Sequence, residues 1–166
     1  MPEYLDVRDY YGNKRGIIVE RGKHQHEDWW YLCVHVYIMT SDGNFLIQQR
    51  AMAKEYFPGI WDITCGAALS GEDSVQAAIR ETKEELGLDV SDFERTFLGT
   101  SHCYDCVNHI YLFRGNFKLS DLKLQEEEVM NVKLVPKDQL LDLIKNSEFK
   151  DEKYYDAISD FLKDIS

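Results

Sequence analysis

GAALSGEDSVQAAIRETKEELGL, residues 66–88, is where the hydrophobic period of the chain changes from about two to about 3.6. Asp73 and Gln76 have the spacing of a capping box and Gly87 stops the run, so the pattern predicts a helix from Asp73 to Leu86. Taking about 100° per residue with Glu81 as zero, Glu84 falls near −60° and Glu85 near +40°. Val75, Ala78, Ile79, Thr82 and Leu86 occupy roughly +60° to +160°, the expected core face. Ala77, near −40°, is expected on the acidic side one turn earlier, leaving an open floor in front of the carboxylates. Acids at these spacings repel by a few tenths of a kcal/mol per pair, and acids in a last turn oppose the helix dipole by roughly 0.3 to 1 kcal/mol each. A helix chosen for stability alone would carry Lys there. Taken alone, the three acids read as a solvated acidic face.

Working outward, strands flank the helix. GIIVERG (16–22) follows the turn Tyr11-Gly12-Asn13, and YLCVHVYIM (31–39) is rich in β-branched and aromatic residues. The turn Ser41-Asp42-Gly43-Asn44 leads into FLIQQR (45–50), which predicts a hairpin. Phe57 to Trp61 is a loop before a short extended segment from Asp62 to Cys65. Beyond the helix, TFLGTSHCY (96–104), HIYLFRGNF (109–117) and VMNVKLV (129–135) read as strands. Pro136 and Asp138 open a helix over QLLDLIK, and Tyr155, Ile158, Phe161, Leu162 and Ile165 stripe a last one. This order predicts a mixed sheet covered by helices, of α/β or α+β class.

The chain has 166 residues, the size of one domain, and 44% hydrophobic residues exclude wholesale disorder. A net charge of −11 disfavours nucleic-acid polymers and anionic membranes, and no apolar run approaches a membrane span. A phosphate ligand would need cations gathered locally. The N-terminus lacks the pattern of a secretion signal, so the expected location is cytoplasmic, with Cys33, Cys65, Cys103 and Cys106 as thiols.

The spacing in residues 66–88 is Gly66, five residues, Glu72, seven residues, Arg80-Glu81, two residues, Glu84-Glu85, one residue, Gly87 and Leu88. It resembles the Nudix box, the signature of hydrolases acting on nucleoside diphosphates linked to another moiety. Thr82, where an aliphatic residue is usual, is the one departure, and it falls on the core face. The resemblance implies an α/β/α sandwich and a single domain over residues 1–166. It also implies Mg²⁺ or Mn²⁺ held by Glu81, Glu84 and Glu85, with Glu72 nearby and the Gly66 carbonyl as a further ligand. Hard divalent cations favour carboxylate oxygens and reduce the charge repulsion that protects a diphosphate from attack. Arg80 would orient the neighbouring acids. A late loop supplies the base in some members, and Glu126, Glu127 and Glu128 occupy such a place, Glu128 first among them.

Outside the box, QQRAMAKEYFPGIWDITCGA resembles the isopentenyl-diphosphate isomerase branch, which implies diphosphate contacts from Arg50 and Lys54. Cys65 falls where that isomerase has its catalytic cysteine, and His24 matches one of its metal histidines. Tyr31 and Ala67 stand in place of the other two, and the paired glutamates expected within residues 106–113 are absent. Hydrolysis of a small diphosphate compound is thus the first reading, an isomerase-like activity the second, and a non-catalytic binding module the third. Cys103 and Cys106 between His102 and His109 form a weak zinc pattern. His24 and His26 with Trp29 and Trp30 form a polar and aromatic cluster, and the N-terminal aromatics suit a homodimer.

Overall fold

A computed structural model describes residues 1–148 and 150–165. The strands are β1 (Tyr4–Arg8), β2 (Lys14–Glu20), β3 (Tyr31–Met39), β4 (Phe45–Arg50), β5 (Trp61–Asp62), β6 (Thr64–Ala67), β7 (Glu94–Cys103), β8 (Cys106–Arg114) and β9 (Val129–Val135). The helices are α1 (Ser74–Leu86), α2 (Lys137–Lys145) and α3 (Glu152–Leu162). Strands β3, β4 and β9 have the expected bounds, whereas β1 was not anticipated. Its five residues mix polar and apolar side chains and pair with β2, with one further bridge from Arg8 to Trp30.

β3 is the central strand and sorts its side chains by parity. Leu32, Val34, Val36 and Ile38 pack with Ala77, Ala78, Leu86 and Val90 on the α1 side. Tyr37 and Met39 pack with Leu140, Ile144, Tyr154, Ile158 and Leu162 on the α2–α3 side. The sheet is mixed: β3 runs parallel to β8, while the pairs β4–β9, β3–β6 and β7–β8 are antiparallel. Two apolar layers on one sheet make the expected α/β/α sandwich.

The hairpin expected between β3 and β4 closes at a single rung, Met39 opposite Phe45. Residues 61–67 then lie along both strands: Trp61 and Asp62 pair with β4, and Thr64 to Ala67 pair with β3. The segment entering the box is therefore part of the sheet. On α3 Ile158 and Leu162 are buried as the stripe predicts and Tyr155 and Ile165 pack against the same core, whereas Phe161 faces outward and the unanticipated Tyr154 is buried. The Cys103–Cys106 segment is a tight hairpin with those two residues in register, its tip Tyr104-Asp105.

His35 sits on the α2–α3 side of β3, its Nδ1 2.8 Å from the Tyr154 hydroxyl, which in turn lies 2.8 Å from that of Tyr37. Burial, reinforced by the Lys150 charge, pushes the His35 imidazole down to about 3 from 6.5. A histidine that folds neutral contributes its full stability above its unfolded value and loses it as the pH falls towards its folded value. From pH 7 to pH 5 that linkage removes about 2 kcal/mol of unfolding free energy. Urea unfolding at both pH values should show this excess loss in the wild type relative to His35→Gln. Equal losses would show that His35 is not held neutral.

Candidate functional site

The box loop reaches α1 through a small number of polar contacts. Asp73 accepts the Gln76 amide and the Gln76 side chain accepts the Asp73 amide, the capping box anticipated from the spacing. Gly87 ends the helix at φ 65°, with its N–H donating to the Lys83 carbonyl. The side chain of Asp6 on β1 accepts hydrogen bonds from Ser70 Oγ and from the Gly71 N–H, so the unexpected first hairpin props the loop.

Arg80 is the hub. Nε donates to Glu72 Oε1 at 2.6 Å, and Nη2 to Glu72 Oε2 at 3.1 Å and the Ala67 carbonyl at 2.9 Å. Nη1 donates to Glu81 Oε1 and Glu84 Oε2, both at 3.0 Å. A guanidinium has five N–H groups, and these contacts can use all of them. Glu72 Oε2 also accepts the Leu69 N–H at 2.8 Å, which pins the loop to its own acid.

Glu81 and Glu85 are less exposed than a solvated acidic face would make them. The Glu81 carboxylate lies so close to Gly66 that a Cβ there would stand 2.2 Å from Glu81 Cδ, so any side chain at 66 would displace Glu81. Burial raises the Glu81 carboxyl above its ordinary value against the opposing pull of Arg80. Glu85 is buried, and its Oε2 accepts Gln48 Nε2 at 2.7 Å while Gln48 Oε1 accepts the Thr64 hydroxyl at 2.7 Å. Burial pushes Glu85 up to about 7; the Gln48 hydrogen bond opposes the shift and the charges of Glu81 and Glu128 add to it.

Ala77, expected beside the carboxylates as an open floor, is fully buried in the core instead. The helix sinks an arc that runs from Ala77 to Leu86 with Glu81 and Glu85 inside it, and only Glu84 looks outward, its side chain 52% exposed. Carboxylates tolerate that position because Arg80 and Gln48 meet them. Among the described residues no three His, Cys, Asp or Glu side chains are grouped to hold an ion. The zinc pattern gains no support: His102 stacks on Tyr10 and His109 meets the Ser74 hydroxyl.

Arg50 and Lys54 are placed near the box but engaged. Arg50 donates from Nε and Nη2 to the Tyr56 carbonyl, bracing the 51–60 loop, while Lys54 forms an ion pair with Glu128. The candidate phosphate ligand and the candidate base thus meet each other. A cavity of about 250 Å³ opens beside Gly66 and Ala67, with Arg21, Arg50 and Cys65 in its wall. Burial raises the Cys65 thiol far above its ordinary value, so it is a neutral thiol. The four cysteines are thiols, not disulfides, with Cys33 Sγ 2.9 Å from Cys106 Sγ. Sequence reading missed Gln48, Thr64 and Arg21. Gln48 had a signal, since it shares the strand face of the buried Leu46, where an amide needs a reason to be.

The NUDIX domain family matches residues 29–158. This chain belongs to the Nudix family. It is 43% identical over 121 residues, 72% of this chain and 71% of the other, to an uncharacterized Nudix hydrolase of Listeria innocua. An isopentenyl-diphosphate Δ-isomerase of Citrobacter koseri is 28% identical over 91 residues, 54% of this chain and 50% of the isomerase. The fold is shared with DR0079 from Deinococcus radiodurans, with a TM-score of 0.74 at 21% identity, covering 94% of this chain and 98% of that one. The Nudix assignment makes the chain a pyrophosphohydrolase: the Listeria innocua hydrolase matches over 71% of its length, the Citrobacter koseri isomerase over 50%.

For a Nudix box held in this way, the Arg80 fork carries the loop. Arg80→Ala should lower unfolding free energy by about 2 kcal/mol in urea denaturation, because Glu72 and the Ala67 carbonyl lose their partners. Arg80→Lys should recover less than half of that loss, since an ammonium cannot serve both oxygens of Glu72 in a planar fork. Full recovery by Lys would show that charge alone is required.

Proposed function

We propose that this Nudix enzyme hydrolyses a phosphoanhydride bond of a small diphosphate compound with Mg²⁺ or Mn²⁺ held by Glu81, Glu84 and Glu85. The observation that carries the reading is the pair of sunken carboxylates on α1, one of them against Gly66. Glu81 occupies the space that Gly66 leaves, and Glu85 accepts a single hydrogen bond among the described residues. Two buried acids with so few donors fit a hard divalent cation, which would also favour the ionised form of Glu85. Glu72 and the Gly66 carbonyl are assigned as further oxygen donors on the strength of the box spacing. When bound, such a cation supplies charge neutralisation on the phosphate oxygens and lowers the pKa of water.

The chain's own residues supply the rest. Arg80 keeps Glu81 and Glu84 oriented through one nitrogen and the loop through the others. Arg50 and Lys54 provide the fixed cations that a surface of this net charge otherwise lacks. A phosphate arriving at Lys54 competes with Glu128 for the ammonium, and Glu128 is then free to accept a proton from the attacking water. Arg50, Lys54 and Glu128 would in this way couple binding to the availability of the base.

The test is a screen of phosphate release over nucleoside diphosphate compounds and prenyl diphosphates, with Mg²⁺, with Mn²⁺ and with chelator. Turnover should need the cation, fall on the order of 100-fold or more in Glu85→Gln, and survive in Cys65→Ala. Migration of a double bond that depends on Cys65 would move the enzyme to isomerisation. Cation and ligand binding without any product would make the chain a binding module.

A further inference from the structure

All four cysteines of the chain line one space, the cavity of about 250 Å³ beside Gly66. They reach it from four strands: Cys33 on β3, Cys65 on β6, Cys103 on β7 and Cys106 on β8. The hydrolysis proposed above uses none of them. Burial keeps Cys65 protonated and therefore inert. The other three form a row across the sheet. Cys103 and Cys106 face each other in register where β7 turns into β8. Cys33 lies one strand further on and diagonal to Cys106, because β3 and β8 pair Tyr31 with Cys106 and Cys33 with Asn108.

The sulfur contacts distinguish one pair. Cys33 Sγ donates to Cys106 Sγ across 2.9 Å, and the Cys106 S–H is directed to Asp105 Oδ1 at 3.7 Å. A covalent S–S bond spans about 2.05 Å, so these two side chains need to approach by less than about 1 Å to form one. Cys106 directly follows the exposed tip Tyr104-Asp105, which makes it the sulfur that a small solute meets first. The hydrogen bond to Cys106, reinforced by burial, holds the Cys33 thiol well above its ordinary value, so Cys33 stays protonated until its neighbour has been oxidised.

We propose that Cys106 and Cys33 form an oxidation site for hydroperoxides, at which a reversible disulfide staples β3 to β8. Hydrogen peroxide transfers one oxygen to the Cys106 sulfur, giving a sulfenic acid, and its other oxygen leaves as water. The Cys33 sulfur then attacks the Cys106 sulfur; the S–O bond breaks, and the hydroxyl leaves as water with the Cys33 proton. Two thiols have lost two electrons in all, and one peroxide has become two waters. A dithiol reverses the change by exchange. The disulfide is neutral, whereas over-oxidation of a lone thiol would leave a permanent sulfinate anion in the cavity wall. The bond would also close the long loop from Cys33 to Cys106, which contains the whole box, and closures of that length stabilise most. None of this depends on the hydrolase reading.

The test treats the full chain with a few equivalents of hydrogen peroxide, quenches, and counts thiols after unfolding. Half of them should disappear, and peptide mapping should join Cys33 to Cys106. The thermal midpoint should rise by about 5 to 10 °C and return to its starting value with dithiothreitol. Cys103→Ser should form the same bond. Cys33→Ser should form none and should gain two oxygens on Cys106, while Cys106→Ser should lose thiols about ten-fold more slowly than wild type. A full thiol count after peroxide overturns the proposal, as does a bond from Cys103 to Cys106 or between two chains. A midpoint that falls on oxidation overturns the staple as well. Thiol counts and mapping need no diphosphate, so a chain that hydrolyses none would sink the hydrolase reading and leave this site standing.

Discussion

One guanidinium ties the box together. Arg80 stands on α1, yet its donors reach Glu72 and the Ala67 carbonyl in the loop as well as Glu81 and Glu84 on its own helix. Without that fork, the loop from Ala67 to Asp73 would keep the brace from Asp6 and backbone hydrogen bonds from Ala68 to Leu32 and from Ser70 to Tyr4 but would lose its tie to α1, and the acids of the helix would face one another with little between them. A planar group with fixed donor directions both satisfies and orients, which a flexible ammonium cannot do. Every other feature of the site assumes that the loop and the helix keep this relation.

A second device brings the acids inward. The chain Thr64 to Gln48 to Glu85 runs from the sheet into α1, and each link uses one donor and one acceptor of an amide or hydroxyl whose geometry is set by a strand. Burial then holds Glu85 near neutrality and lifts Glu81, so the site stores an electrostatic cost that a divalent cation would relieve. The acidic surface and the scarcity of fixed cations have the same consequence. Arg21, Arg50 and Lys54 are among the few positive groups near the box, and each is engaged by neighbouring protein groups.

Much of this was legible in the chain because local rules were obeyed. The helix and its caps followed from Asp73, Gln76 and Gly87, and the central strands followed from runs of β-branched and aromatic residues. What failed depended on tertiary placement. A helical wheel assigns angles but not the depth at which each angle sits, so it put Ala77 in the open when the sheet lies against it. It gave no sign that Glu85 would be buried, because its partner Gln48 is remote in sequence. The Lys54–Glu128 pair joins two loops whose proximity follows only from β4 pairing with β9. The stripe on α3 left out Tyr154 because tyrosines occupy both positions 154 and 155, and only the partners His35 and Tyr37 mark the first as the buried one.

The site owes as much to sheet topology as to the motif. Had β3 and β4 formed the long hairpin that their turn suggests, residues 61–67 would have been displaced from the sheet and Gly66 with them. Because the hairpin closes at Met39 and Phe45 alone, the strand that carries Thr64 and Gly66 can pair with β4 and then with β3. That arrangement sets Gln48, Thr64 and Gly66 side by side beneath α1, and it leaves the flank of β3 with His35 open to a cavity. A box with the same spacing on a sheet without this split would still form a capped helix with crowded acids. It would lack the glycine against Glu81, the amide against Glu85 and the cavity beside them. The residues of the motif therefore define the helix, and the divergence of two strands turns that helix into a site.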